Sequence, residues 1–177
     1  EEDLVWSHYG IQTKDISHLR LGFYQGDIFS EDPERQRDVL PIFDKLREIE
    51  PTIITLALDP EGSGPDTHYK VLQAIAEATR IWGKETDLTK LKIWGYRNVW
   101  ARFDAAEADI IVPVSLNSMA SLRDTFLTCY LSQKNASFPS YELDGPFCDL
   151  VQKIWVEQIQ TLQLLLGRDY WYQNSHP

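Results

Sequence analysis

The chain has 177 residues, of which 43% are hydrophobic and 12% aromatic, so it can bury a real core as one domain spanning 1–177. Its formal net charge of -10 argues against nucleic acid or an anionic membrane as a partner, because either calls for a basic face. No apolar run approaches the length that crosses a bilayer. The two cysteines, Cys129 and Cys148, form no CxxC pair and read as buried free thiols, not as a zinc site.

The segment from Glu1 to Ser17 is polar and mixed, and reads as a loop or a frayed helix end. His18 to Tyr24 alternates apolar and polar residues, as a short strand does. Asp32-Pro33 fits an N-cap followed by proline in a first helical turn. Val39, Leu40, Phe43, Leu46 and Ile49 then mark an amphipathic helix that ends before Pro51. Pro41 sits awkwardly inside it: either it kinks the helix or regular helix begins only near Asp38.

Ile53 to Leu58 is a near-continuous apolar run, the pattern of a strand buried on both faces. Asp59 to Thr67 is dense in Asp, Pro, Gly and Ser, which is loop chemistry. From His68 to about Trp82 the apolar residues Val71, Leu72, Ile75, Ala76 and Ala78 recur at helical spacing. His68 therefore stands where a loop becomes a helix, beyond the carboxyl end of a strand, which is where open α/β sheets bind ligands. Asp66 has two readings, a partner that orients His68 or an N-cap of the helix. Asp59 is a further candidate to orient His68.

Leu91 to Tyr96 reads as the next strand, with Gly95 marking a close approach or bend. Tyr96, Arg97 and Trp100 follow its end. Arg97 could meet a sugar hydroxyl or a phosphate through its planar fork, and Tyr96 could stack on a sugar ring. The alternative is an aromatic core edge with Arg97 in a structural ion pair. Ile110 to Val114 reads as a short buried strand, and Ser115 caps a helix reaching Tyr130 or Ser132. Phe147 to Leu166 is the last helix, with Leu150, Val151, Ile154, Trp155, Ile159, Leu162, Leu165 and Leu166 on its apolar face and Gly167 at its end. Phe138, Tyr141, Phe147, Trp171 and Tyr172 could form an aromatic interface. Helix and strand alternate around Thr52, which argues for an α/β fold with a mainly parallel sheet.

Several motifs carry a resemblance: LGFYQG, LDPEGSGPDTHYK, KIWGYRNVW, IIVPVS and SFPSYELDGPF, scattered from about Leu19 to Trp171. On these the chain resembles the PIG-L/LmbE-like N-acetylglucosaminyl deacetylases. More closely, it resembles the deacetylase-like domain fused behind glucosamine-6-phosphate deaminase in some bacterial proteins. The resemblance implies a three-layer Rossmann-like fold with helices on both faces of the sheet, here lacking its N-terminal βα portion. It implies hydrolysis of an N-acetyl amino sugar at zinc or another divalent metal, with His68 as a metal ligand. An amino sugar or amino-sugar phosphate is the expected small-molecule partner, and the cytoplasm the expected location. The family's remaining ligands come from an HPDD-type motif that these residues lack, and Gly64 stands where many members carry a further histidine. The resemblance therefore also implies a second reading, a non-catalytic accessory domain of a glucosamine-6-phosphate deaminase. The chain is expected to contact a missing N-terminal part of a longer protein, and a homo-oligomer is left open.

Overall fold

The computed structural model describes residues 1–24, 30–97, 102–136 and 145–173; of Tyr24 and Trp171 it describes the backbone only. These residues fall into two compact units, one of 18–102 and one joining 1–17 to 103–177.

The 18–102 unit is built on a helix–strand–helix–strand run. Its elements are α2 (Leu40–Ile49), β1 (Ile53–Ala57), α3 (Asp66–Trp82) and β2 (Lys92–Tyr96), after α1 (Glu2–His8) of the other unit. β1 and β2 pair in parallel, Ile53 opposite Lys92 and Ala57 opposite Tyr96. A parallel pair needs a crossover, and α3 supplies it. Lys70, Ala74, Ala78 and Trp82 form the buried stripe of α3, one residue per turn. The two alanines let α2 approach closely, so Val39, Ile42, Phe43, Ala74, Ala78 and Trp82 make one core cluster.

Pro41 stands in the first turn of α2. One π-helical turn, Arg35–Val39, precedes it. Asp32 does not cap this helix: the residue before the π turn is Glu34, without a side-chain cap. α2 ends on Glu50 in the left-handed region, at φ 48°. Gly95 is required by packing, because a Cβ there would stand 2.6 Å from the Leu58 side chain.

The chain is thus α/β with parallel pairing, and among the described residues the sheet has two strands. Two expected strands do not form among the described residues. In 18–24, Arg20 turns to φ 49°, Gly22–Tyr24 coils into a 3-10 turn, and the Gly22 and Phe23 amides bind the Asp38 carboxylate instead of a neighbouring strand. In Ile110–Val114, Pro113 has no amide for a ladder, and Ile110, Ile111, Val112 and Val114 are exposed where burial was expected. Among the described residues no helix covers the face of the ladder that Ile53, Trp94 and Tyr96 share by alternation, and all three are exposed.

The other unit is helical: α1, α4 (Leu116–Cys129), α5 (Phe147–Leu166) and α6 (Arg168–Gln173). Ser115 caps α4 by accepting from the Ser118 amide at 3.1 Å. α4 and α5 run antiparallel: the Gln152 side chain donates to the Met119 carbonyl at 3.0 Å, Arg123 pairs with Asp149 at 2.9 Å, and Phe126 stacks on Phe147 with ring centres 6.2 Å apart. Cys129 and Cys148 are buried free thiols as expected, and burial pushes the Cys148 thiol up. In the N-terminal segment Glu2–His8 forms α1 and Thr13–Asp15 a 3-10 turn, with loop between and after them, and the Glu1 carboxylate accepts from the Ser132 amide and hydroxyl at 2.9 and 2.6 Å. The expected apolar face of α5 is buried only at its start. Leu150 and Ile154 are buried, while Ile159, Leu165 and Leu166 are exposed. Phe138 and Tyr141 of the expected aromatic interface lie outside the described residues. No described helix is long and apolar enough to cross a membrane.

Candidate functional site

Of the residues singled out by sequence, Asp59, Tyr96 and Arg97 stand at the carboxyl ends of β1 and β2, and Asp66 and His68 in the first turn of α3. Beyond Ala57 the chain leaves the ladder after one more bond, from the Leu58 amide to the Tyr96 carbonyl at 2.8 Å. Asp59 then organises the loop. Its carboxylate accepts from the Ser63 amide and hydroxyl at 3.0 and 2.6 Å and from the Gly64 amide at 2.6 Å. Its own carbonyl accepts from the Gly62 amide at 3.2 Å. Gly62 sits at φ 63°, a conformation open to glycine at little cost. The Ser63 hydroxyl is the main cause holding the Asp59 carboxyl below its ordinary range, against burial, with help from the Gly64 and Ser63 amides and the Arg97 charge. The structure thus gives Asp59 the work of closing a turn.

From the tip of that loop Glu61 reaches across to the end of β2. One terminal nitrogen of Arg97 donates to both Glu61 oxygens, at 3.0 and 2.9 Å. The Arg97 side chain is 18% exposed and that of Glu61 59%. The Arg97 hydrogen bond holds the Glu61 carboxyl below its ordinary range. Tyr96 next to Arg97 is 56% exposed. Trp100, grouped with them from sequence, lies outside the described residues.

A second cluster marks the start of α3. The cap position is Pro65, without a side-chain cap, so neither Asp66 nor Thr67 caps the helix. Asp66 is instead the first helical residue, where the helix dipole favours a negative charge. It accepts from the Ser30 hydroxyl at 2.6 Å and pairs with Lys70 at 2.7 Å, one turn along. Lys70, then Ser30, holds its carboxyl below the ordinary range. Lys70 is 7% exposed and also donates to the Ser30 carbonyl. His68, half-buried, follows in the first turn, its amide donating to the Pro65 carbonyl at 2.9 Å.

Sequence reasoning missed Asp38, which is fully buried. One of its oxygens accepts from the Gly22 and Phe23 amides at 2.6 and 3.3 Å, the other from the Glu34 amide and the Arg37 side chain at 2.8 and 3.1 Å. Ser30, Lys70 and Glu61 were missed as well. Lys70 was within reach, since it stands four residues after Asp66 on a helix.

As for a metal, the two carboxylates that the sequence offered to orient His68 are engaged by the fold, Asp59 by Ser63 and Gly64 and Asp66 by Ser30 and Lys70. Among the described residues no group of three His, Cys, Asp or Glu side chains is arranged to hold an ion. The donor set of these residues does not by itself fit a zinc site.

With that geometry in hand, comparison with known proteins gives one orientation. The chain is 28% identical over 137 residues to a glucosamine-6-phosphate deaminase-like protein of Bacteroides thetaiotaomicron, an alignment covering 75% of this chain and 20% of that protein. The chain therefore spans about a fifth of that relative's length. No protein-family model matches the chain, and no solved structure does.

Proposed function

We propose that the chain is a non-catalytic accessory segment of a glucosamine-6-phosphate deaminase-like protein, and that it holds an amino-sugar phosphate at the rim formed by Arg97 and Tyr96. The similarity over 137 residues to a protein of that name carries the amino-sugar setting. The rim supplies the chemistry. A guanidinium makes charge-assisted hydrogen bonds to phosphate oxygens, and an exposed tyrosine ring beside it offers a face for the sugar. The proposed setting is cytoplasmic, in keeping with two buried free thiols. The three-layer sheet belongs to the same proposal. Parallel sheets are covered on both faces, so the open face at Ile53 and Trp94 is covered by parts of a longer polypeptide, with Tyr96 left open at the rim. The test is calorimetric titration of the chain with glucosamine 6-phosphate. Saturable binding that is lost in Arg97→Ala supports the proposal, and binding unchanged by that substitution refutes the role of Arg97.

The position of His68 beyond the end of β1 favours a second reading, a metal ligand in an N-acetyl amino-sugar deacetylase-like domain. Its other donors would come from outside the described residues, and we derive no chemical step through the ion. The check is the metal content of purified protein. Zinc bound equally by wild type and His68→Ala would remove His68 as a required ligand.

A further inference from the structure

We infer that Glu61 is a displaceable counter-ion that occupies Arg97 until a phosphate monoester takes its place, an inference that rests on Arg97 being the phosphate-binding group of the rim. The two partners differ in freedom. Arg97 follows directly on the paired strand β2 and its side chain is 18% exposed, whereas that of Glu61 is 59% exposed. Glu61 rides at the tip of a loop next to Gly62, whose φ of 63° marks backbone that glycine permits. The cation is therefore held while the carboxylate can swing away.

Glu61, the partner that leaves, is exposed and rehydrates on release, so its release costs little. A phosphate monoester offers three strong acceptor oxygens and close to two negative charges near neutral pH, against the single charge of Glu61. Asp59 also bears electrostatically on Arg97. Its oxygens, however, are engaged by Ser63 and Gly64, so Glu61 is the carboxylate that yields. Neutralising Glu61 should weaken this carboxylate's hold on the guanidinium without removing the cation.

The experiment titrates glucosamine 6-phosphate into wild type, Glu61→Gln, Arg97→Ala and, as a control for net charge, Glu85→Gln in the connector before β2. Expected is about fivefold tighter binding by Glu61→Gln, the scale of an exposed ion pair, with Glu85→Gln matching wild type. Affinity equal to or weaker than wild type in Glu61→Gln, with binding still lost in Arg97→Ala, overturns the counter-ion role and leaves the rim reading standing. Equal tightening by Glu85→Gln also overturns it, by reducing the effect to net charge. Binding absent from wild type and Glu61→Gln alike overturns both.

Discussion

Replacing Asp38 by asparagine exchanges one oxygen for an NH2 group in a side chain that binds four partners. The fully buried carboxylate receives the Gly22 and Phe23 amides on one oxygen and the Glu34 amide and Arg37 on the other. Asparagine offers one oxygen and one NH2 group. Whichever way it turns, its NH2 faces two donors. Leaving buried donors unmatched costs roughly 1–3 kcal/mol each, so a loss of about 2–4 kcal/mol is expected once the partly exposed Arg37 rehydrates. Against a total stability of about 5–15 kcal/mol that is a large fraction. Burial pushes the Asp38 carboxyl up, but the Glu34 amide, the Arg37 side chain and the Gly22 and Phe23 amides outweigh it and hold it below its ordinary range. A depressed carboxyl stabilises the fold above its unfolded-state value and loses that contribution as pH falls through its folded-state value. The gap between wild type and Asp38→Asn should therefore be full near neutrality and narrow in acid. Urea denaturation followed by tryptophan fluorescence measures it, Trp82 being in the core cluster. A gap under about 0.5 kcal/mol at pH 7, within the range of ordinary surface substitutions, would refute the reasoning.

Two further outcomes follow from packing and capping. A side chain at Gly95 would meet Leu58 at 2.6 Å, so Gly95→Val should lower stability by about 1–3 kcal/mol through overpacking; an unchanged urea midpoint would contradict the tight approach. Ser115→Ala removes the acceptor for the Ser118 amide and should cost about 1 kcal/mol, measured the same way, with little change expected in Ser115→Asp because aspartate caps as well.

The segments that could be read from sequence are those where local pattern and packing agree. Ile53 to Ala57, α3 and α5 were legible because an apolar run or a helical period met its own punctuation, loop residues after Leu58 and Gly167 after Leu166. His18 to Tyr24 and Ile110 to Val114 were not, because alternation and apolarity specify a strand only where a neighbouring strand can pair. In the first the amides are claimed by Asp38, which is distant in sequence. In the second Pro113 removes a donor. Around the rim, the loop chemistry of Asp59 to Thr67 was legible, and the assignment of partners was not. Asp59 turned inward to Ser63 and Gly64, and Asp66 to Ser30, 36 residues away. A carboxylate's role depends on which donor reaches it first, and long-range donors leave no periodic trace.

The most direct measurement is a map of backbone amide shifts by NMR as glucosamine 6-phosphate is added to the chain. The account predicts saturable shifts concentrated at Asp59 to Ser63, Tyr96 and Arg97, with α4 and α5 unmoved. Shifts that never saturate, or that centre on α4 and α5 while the rim stays silent, would contradict it.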